Sequence, residues 1–78
     1  MKDTLCNLPI GACARVEHIE LDNAVSQRLL TLGLLPGMDV KVVQHAPLGD
    51  PIAIEFEGRR VSLRKQEAAG VILKALPN

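Results

Sequence analysis

The six residues Leu32–Gly37 (LGLLPG) combine a helix end, a turn and the start of a strand. Gly33 stands just past a predicted helix, where the backbone needs a left-handed conformation that a residue without Cβ adopts readily. Leu34 follows at the position where an apolar side chain folds back onto the helix. Pro36 and Gly37 then supply the fixed φ and the positive φ of a type II turn. Any fold of this chain must therefore pass from helix to strand at this point.

A helix is predicted ahead of this stretch, and Asp22 or Asn23 can cap it with a side-chain oxygen. Its apolar residues recur at intervals of four, four and three, which gives one stripe for burial: Leu21, Val25, Leu29 and Leu32. Leu30 lies about 100° from the centre of this stripe. It either widens the buried face or is exposed.

Alternation of apolar and polar residues predicts five strands. The first begins at Gly11, and the second runs over about Met38–His45. The third strand points Ile52, Ile54 and Phe56 inward, and the fourth points Val61 and Leu63 inward. The fifth runs over about Val71–Ala75. Residues 1–9 are interpreted as a lead-in whose Leu5 and Leu8 cover the core.

Turn residues separate the later strands and suggest how they are arranged. The loop Ala46–Pro51 contains Gly49 and Asp50, and Gly58 supplies the positive φ of a tight hairpin. One helical turn, Lys65–Ala69, precedes the last strand. The whole 78-residue chain is therefore predicted to form one mainly-β domain. We expect a small five- to six-stranded SH3-like barrel with a helix inserted between its first and second strands.

Charge and aromatic content exclude several classes of binding protein. Nine basic residues balance nine acidic ones, and Phe56 is the single aromatic residue. Nucleic-acid binders rely on clustered Lys and Arg, and single-strand readers on aromatic stacking, so no nucleic-acid partner is expected. No apolar run reaches the roughly 18 residues of a spanning helix. The sequence shows no charged-then-apolar leader pattern with a small-residue cleavage site, so secretion is not expected. We expect a cytoplasmic protein without direct membrane insertion.

The sequence contains no pattern typical of an enzyme, and no cofactor is expected. His18 and His45 stand in no motif with a nucleophile or a carboxylate, and the phosphate-binding loop pattern is absent. Cys6 and Cys13 lie seven residues apart, which matches no familiar zinc or redox motif, and we interpret both as small apolar residues. A metal site would need these cysteines with His18 and Asp22, whose spacing does not fit a closed tetrahedral site, so no metal ligand is assigned.

Three leucines are predicted to lie outside the buried faces: Leu30, Leu35 and Leu48. Gathered at one end of the barrel, they would form an apolar patch suited to docking a partner protein. The alternative is that they cap the barrel as lid residues. A second candidate surface is the basic rim of Arg59, Arg60, Arg64 and Lys65. The carboxylates of Glu55 and Glu57 can pair with this rim across the hairpin.

Several segments resemble the FeoA family of small cytoplasmic accessory proteins of bacterial ferrous iron uptake: RLLTLGLLPG at 28–37, VKV at 40–42, APLGDPI at 46–52, VSLR at 61–64 and EA at 67–68. The resemblance extends from about Leu8 to Ala75. It implies an SH3-like barrel and action on the FeoB-type ferrous iron transporter, a membrane permease with a cytoplasmic GTP-binding domain. It assigns no ligand role to Cys6, Cys13 or His18.

A related SH3-like domain forms the C-terminus of iron-dependent repressors, which makes a metal-sensing domain the alternative function. In those proteins a winged-helix DNA-binding domain precedes it. About ten residues precede the first predicted strand here, so we expect no such domain on this chain. A structural oligomerisation module is a third alternative, and the sequence leaves the oligomeric state open.

Overall fold

The computed structural model describes residues 3–20 and 23–75. These residues form six strands, two α-helices and one 3₁₀ turn: β1 (Asp3–Thr4), the 3₁₀ turn (Leu5–Asn7), β2 (Cys13–Ile19), α1 (Asn23–Leu32), β3 (Asp39–His45), β4 (Ile52–Phe56), β5 (Arg59–Leu63), α2 (Lys65–Ala68) and β6 (Val71–Ala75). All strand pairs are antiparallel, and the hydrogen-bonded order is β1-β6-β2-β3-β4-β5. No described helix has the length and apolar character needed to cross a bilayer.

The core consists of the inward side of each long strand, as the alternation predicts. Among the residues that the structure describes, fourteen apolar ones are buried: Leu5, Ala14, Val16, Leu29, Leu34, Val40, Val42, Ile52, Ile54, Phe56, Leu63, Ala68, Val71 and Leu73. Burial of each leucine, isoleucine or valine side chain contributes about 1.5–3 kcal/mol. The prediction that Leu5 covers the core is confirmed, and Leu8 packs against it half-buried.

The predicted barrel is open on one side within the described residues. Strand β5 lies at one end of the sheet order and β1 at the other, and no described strand pair joins them. Helix α1 contacts β5 through a side chain: Arg28 Nη2 donates to the Ser62 carbonyl at 3.4 Å. The 3₁₀ turn contacts α2, where Cys6 Sγ donates to the Lys65 carbonyl at 3.1 Å. The 3₁₀ turn follows β1 and α2 follows β5, so this contact, rather than strand pairing, connects the two ends of the sheet order.

The N-terminal segment differs from the expected lead-in. Asp3–Thr4 pairs with β6, and two residues are too few to show a strand period. Strand β2 begins at Cys13, two residues later than predicted, because the Ala12 amide donates to the Pro9 carbonyl at 3.1 Å and forms a turn there. The predicted capping role of Asp22 and the predicted burial of Leu21 fall outside the described residues.

The α1–β3 connection follows its prediction closely. The amide of Gly33 donates to the Leu30 carbonyl and that of Leu34 to the Leu29 carbonyl, both at 3.0 Å, which is the Schellman pattern. Gly33 has φ +91°, and Leu29 and Leu34 are fully buried together. The left-handed conformation of Gly33 and the joint burial of Leu29 and Leu34, which we call the apolar clasp, are therefore both confirmed.

The type II turn after this clasp is also confirmed. Gly37 has φ +92°, and the Met38 amide donates to the Leu35 carbonyl at 3.3 Å. The Gly37 amide donates to the Val16 carbonyl at 2.7 Å, which ties the turn to β2. A second turn, at Glu57-Gly58, joins β4 to β5, with both residues at positive φ.

Candidate functional site

Two exposed leucines flank the α1–β3 connection. The side chain of Leu30 is 49% exposed and that of Leu35 is 44% exposed. The carbonyl of Leu30 accepts the Gly33 amide, and the Leu35 amide lies 3.3 Å from Met38 Sδ, so the backbone on which both stand is fixed. We call these two side chains with the exposed Pro36 the connection face.

Leu48 does not belong to this face, so the prediction that three leucines gather at one end is wrong. Leu35 precedes the start of β3, whereas Leu48 follows its end. Seven residues of β3 at about 3.3 Å each separate the two ends by roughly 20 Å along the strand. Leu48 is 94% exposed, so it is not a lid residue either.

Among residues 3–20 and 23–75, one further large apolar residue is exposed, and the sequence patterns do not predict it. Ile10 is 61% exposed. His45 Nε2 lies 3.2 Å from the Leu8 carbonyl, which places the segment around Ile10 at the same end of β3 as Leu48. An apolar residue between Pro9 and Gly11, two turn formers, was the available signal.

Arg59 is engaged within the molecule. Its Nη2 donates to the Leu32 carbonyl at 2.7 Å, which satisfies one of the free carbonyls at the end of α1. Its guanidinium also lies over the Phe56 ring, 5.2 Å from the centroid. A Cβ placed on Gly33 would stand 2.8 Å from Arg59 Nη2. Arg59 therefore packs directly on the backbone that supports the connection face.

Arg60 has a different environment from its neighbour. Its Nη2 lies 3.6 Å from Glu55 Oε2, and their side chains are 63% and 45% exposed. An exposed pair of this kind contributes about 0–1 kcal/mol. The pairing that the sequence predicted across the hairpin is confirmed for this arginine. The basic rim is thus divided between an internal contact at Arg59 and a surface ion pair at Arg60.

A buried carboxylate connects α2 to α1. Glu67 is 4% exposed, and its Oε1 accepts the Arg64 amide at 2.7 Å. Its Oε2 accepts a hydrogen bond from Arg28 Nε. The lysine that begins α2, Lys65, donates its amide to Asp50 Oδ1 at 2.9 Å, so the Ala46–Pro51 loop also holds this helix. The sequence pattern predicts Glu67 only as part of a helical turn and carries no signal of its link to α1.

Cys6, Cys13 and His18, the candidate metal ligands within the described residues, are not brought together. Cys6 lies against α2, whereas Cys13 is exposed on β2 beside Lys41. His18 stands five residues further along β2, about 16 Å away by strand rise, and its Nε2 lies 3.1 Å from a Glu20 carboxylate oxygen. Residues 3–20 and 23–75 contain no group of three or more His, Cys, Asp or Glu side chains that could hold a metal ion.

Cys6 is one wall of a cleft of about 480 Å³ between the 3₁₀ turn and α2, lined by Cys6, Asp50, Arg64, Lys65, Gln66 and Ala69. Burial raises the pKa of the Cys6 thiol above its ordinary value. The thiol is also occupied as a donor to the Lys65 carbonyl. Because the thiolate is the reactive form, Cys6 is a poor nucleophile at neutral pH.

We therefore expect iodoacetamide to alkylate the exposed Cys13 faster than Cys6 at neutral pH. The rate at Cys6 should keep rising as the pH passes the ordinary thiol range, since burial delays formation of its thiolate. Timed labelling at several pH values, followed by peptide mass spectrometry, measures both rates. Equal rates at neutral pH would contradict the placement of Cys6 against α2.

This architecture defines an SH3-like domain: a small antiparallel barrel with a helix after its first long strand and a helical turn before its last. The FeoA domain profile matches residues 4–75. The chain belongs to the FeoA family.

Individual relatives agree with this assignment. A Porphyromonas gingivalis protein, named as a fusion of Fe(2+) transport protein A and the Fe(2+) transporter FeoB, is 34% identical over 67 residues. The match covers 86% of this chain and 8% of that protein, so the chain spans a small part of the relative's length. The crystal structure of Stenotrophomonas maltophilia FeoA complexed with zinc, described as an SH3 domain protein, has 32% identity and a TM-score of 0.80. The match covers 92% of this chain and 89% of the Stenotrophomonas maltophilia chain.

A manganese-dependent transcriptional repressor, solved in complex with manganese, shares the fold with a TM-score of 0.89. The match covers 96% of this chain and 37% of the repressor, at 17% identity. At this level the likeness concerns the fold alone.

Proposed function

We propose that this protein is a cytoplasmic, non-enzymatic accessory protein of bacterial ferrous iron uptake that binds a FeoB-type transporter. Membership of the FeoA family supports the general role. The fusion in Porphyromonas gingivalis supports the choice of partner, because it joins a homologous segment to a transporter in one chain. Linking two modules raises their effective concentration, which favours a contact between them.

The connection face is the surface that we propose for this contact. The observation that carries the proposal is that Leu30 and Leu35 are about half exposed on a backbone fixed by the Schellman bonds and the type II turn. A fixed backbone loses little conformational entropy on binding. Two leucines can be buried by a partner without rearranging the barrel. The proposed partner surface is an apolar site on the transporter's cytoplasmic GTP-binding domain.

Electrostatic attraction contributes little to this proposal. The chain carries no net charge, and its arginines near the hairpin are engaged with Leu32 and Glu55. Long-range steering needs a field of one sign over the surface. We therefore place the binding energy in apolar burial at the connection face.

Leu30→Glu and Leu35→Glu are each expected to remain folded and to weaken binding to the transporter's soluble GTP-binding domain by about tenfold or more. Each change places an unpaired carboxylate in an interface that must be desolvated when the partner binds. Titration calorimetry, run with and without guanine nucleotide, measures the affinity. Circular dichroism confirms that each variant is folded.

Leu48→Glu is the matched control, because it makes the same chemical change at the opposite end of β3. It should bind with the affinity of the wild type. Loss of binding in Leu48→Glu alone would move the interface to that end of the barrel. Normal binding by all three variants would exclude both ends of β3 as the interface. The exposed surface around Arg60 would then be the next to test.

A further inference from the structure

Helix α1 is held to the barrel by few apolar contacts. Among the α1 side chains that the structure describes, Leu29 alone is fully buried, while Val25 and Leu32 are half-buried. Ten residues of helix therefore rest on a narrow apolar contact. Packing of an apolar face normally supplies most of a helix's stability in a protein. The position of α1 must depend strongly on its polar contacts.

The first polar contact is at the middle of the helix. Arg28 Nε donates to Glu67 Oε2, and Arg28 Nη2 donates to the Ser62 carbonyl at 3.4 Å. Glu67 is buried, and a buried carboxylate that loses its cationic partner is strongly unfavourable. The Glu67 carboxylate is itself fixed by the Arg64 amide. Arg28 is therefore drawn to one place on the barrel, between β5 and α2.

The second polar contact is at the end of the helix. Arg59, from β5, donates to the Leu32 carbonyl at 2.7 Å and lies against Gly33. A cation at a helix C-terminus is also favoured by the helix dipole. Because Phe56 is 3% exposed and lies under the guanidinium, Arg59 has a rigid support. The end of α1 is thus clamped to the β4–β5 hairpin.

We propose that Arg28, Glu67 and Arg59 are positioning residues that set the orientation of α1 and thereby build the connection face for its partner. This inference rests on the proposed function, in which Leu30 and Leu35 contact the transporter. Arg28 and Leu30 are two residues apart, about 200° around the helix, so a partner seated on Leu30 does not reach Arg28. An effect of Arg28 on binding must then pass through the position of α1.

The test combines amide hydrogen exchange with binding to the soluble GTP-binding domain, using Arg28→Ala and Arg59→Lys. Exchange at the Gly33 and Leu34 amides, which bond to α1 carbonyls, should accelerate by about five- to tenfold, the equivalent of one hydrogen bond. In Arg59→Lys, which leaves the Arg28–Glu67 pair intact, exchange at the Val42 amide, bonded to the Ala12 carbonyl within the sheet, should not change. Affinity should fall by a similar factor. Global destabilisation alone would leave the affinity of fully folded protein unchanged.

Arg59→Lys keeps the charge, so a direct ionic contact with the partner would survive it, whereas the planar clamp on Leu32 and Phe56 would not. Arg60→Lys is the matched control on the same strand, and it should change neither measurement. Unchanged exchange at Gly33 and Leu34 would overturn the bracing of α1. Faster exchange with normal affinity would overturn its role in docking. If the wild type fails to bind, the proposed function fails, and the exchange data still decide whether the arginines brace α1.

Discussion

Phe56→Ala is expected to lower the free energy of unfolding by about 3–5 kcal/mol, the usual cost of removing a buried aromatic ring. Phe56 is 3% exposed and is the single aromatic residue of the chain, so no other ring can fill the space. Its loss also removes the surface under the Arg59 guanidinium. A domain of this size has only about 5–10 kcal/mol of stability, so much of the variant should unfold at moderate temperature. Urea denaturation followed by circular dichroism measures the change.

Two further variants separate the causes of this loss. Phe56→Leu keeps most of the apolar volume and removes the ring face, so it should stay folded and lose about 1–2 kcal/mol. Leu48→Ala, at a 94% exposed position, should change stability by no more than about 0.5 kcal/mol. A folded Phe56→Ala protein with nearly native stability would mean that the ring does not belong to the core.

The parts of the fold that depend on near neighbours in sequence could be predicted. The α1–β3 connection requires a left-handed residue, an apolar clasp and a type II turn, and each requirement selects a residue type at a fixed offset. The inward residues of β3 and β4 follow from a period of two. Both kinds of signal act over a few residues, so a single sequence carries them completely.

The site depends on contacts that local patterns do not encode. Arg28 and Glu67 are 39 residues apart, and Arg59 and Leu32 are 27 apart. An arginine looks the same in sequence whether it faces water or caps a distant helix. The sequence therefore predicts Arg59 as a partner contact, although its guanidinium makes intramolecular contacts with Leu32 and Phe56.

The placement of exposed leucines failed for a related reason. Periodicity tells which face of an element a side chain occupies, but it does not tell which end of the barrel a loop reaches. Leu35 and Leu48 were both correctly expected outside the strands, and the length of β3 then separates them. The exposed apolar residues are therefore divided between the two ends of β3. Leu30 and Leu35 lie at the α1–β3 connection, and Leu48 lies with Ile10 at the other end.

Gly33→Val is expected to destabilise the protein by about 1–3 kcal/mol from backbone strain, because a β-branched residue at φ +91° is unfavourable. The new side chain would also displace Arg59 Nη2, which lies 2.8 Å from the position of a Cβ. Displacement leaves the Leu32 carbonyl without its donor, a further loss of about 1 kcal/mol. Thermal unfolding measures the sum, and an unchanged midpoint would contradict the left-handed conformation of Gly33.

Strain and displacement can be separated by alanine variants at two glycines with almost the same backbone conformation. Gly37 has φ +92° and no atom within 4 Å of its Cβ position, so Gly37→Ala reports strain alone. Gly33→Ala adds the contact with Arg59 and should be the more destabilising of the two. In an Arg59→Ala background, Gly33→Ala should destabilise the protein no more than Gly37→Ala does. The double-mutant cycle of Gly33→Ala and Arg59→Ala should therefore give a coupling energy of about 0.5–1 kcal/mol. A cycle without coupling would mean that Arg59 yields freely to a side chain at Gly33. The clamp on the end of α1 would then be too loose to orient the connection face.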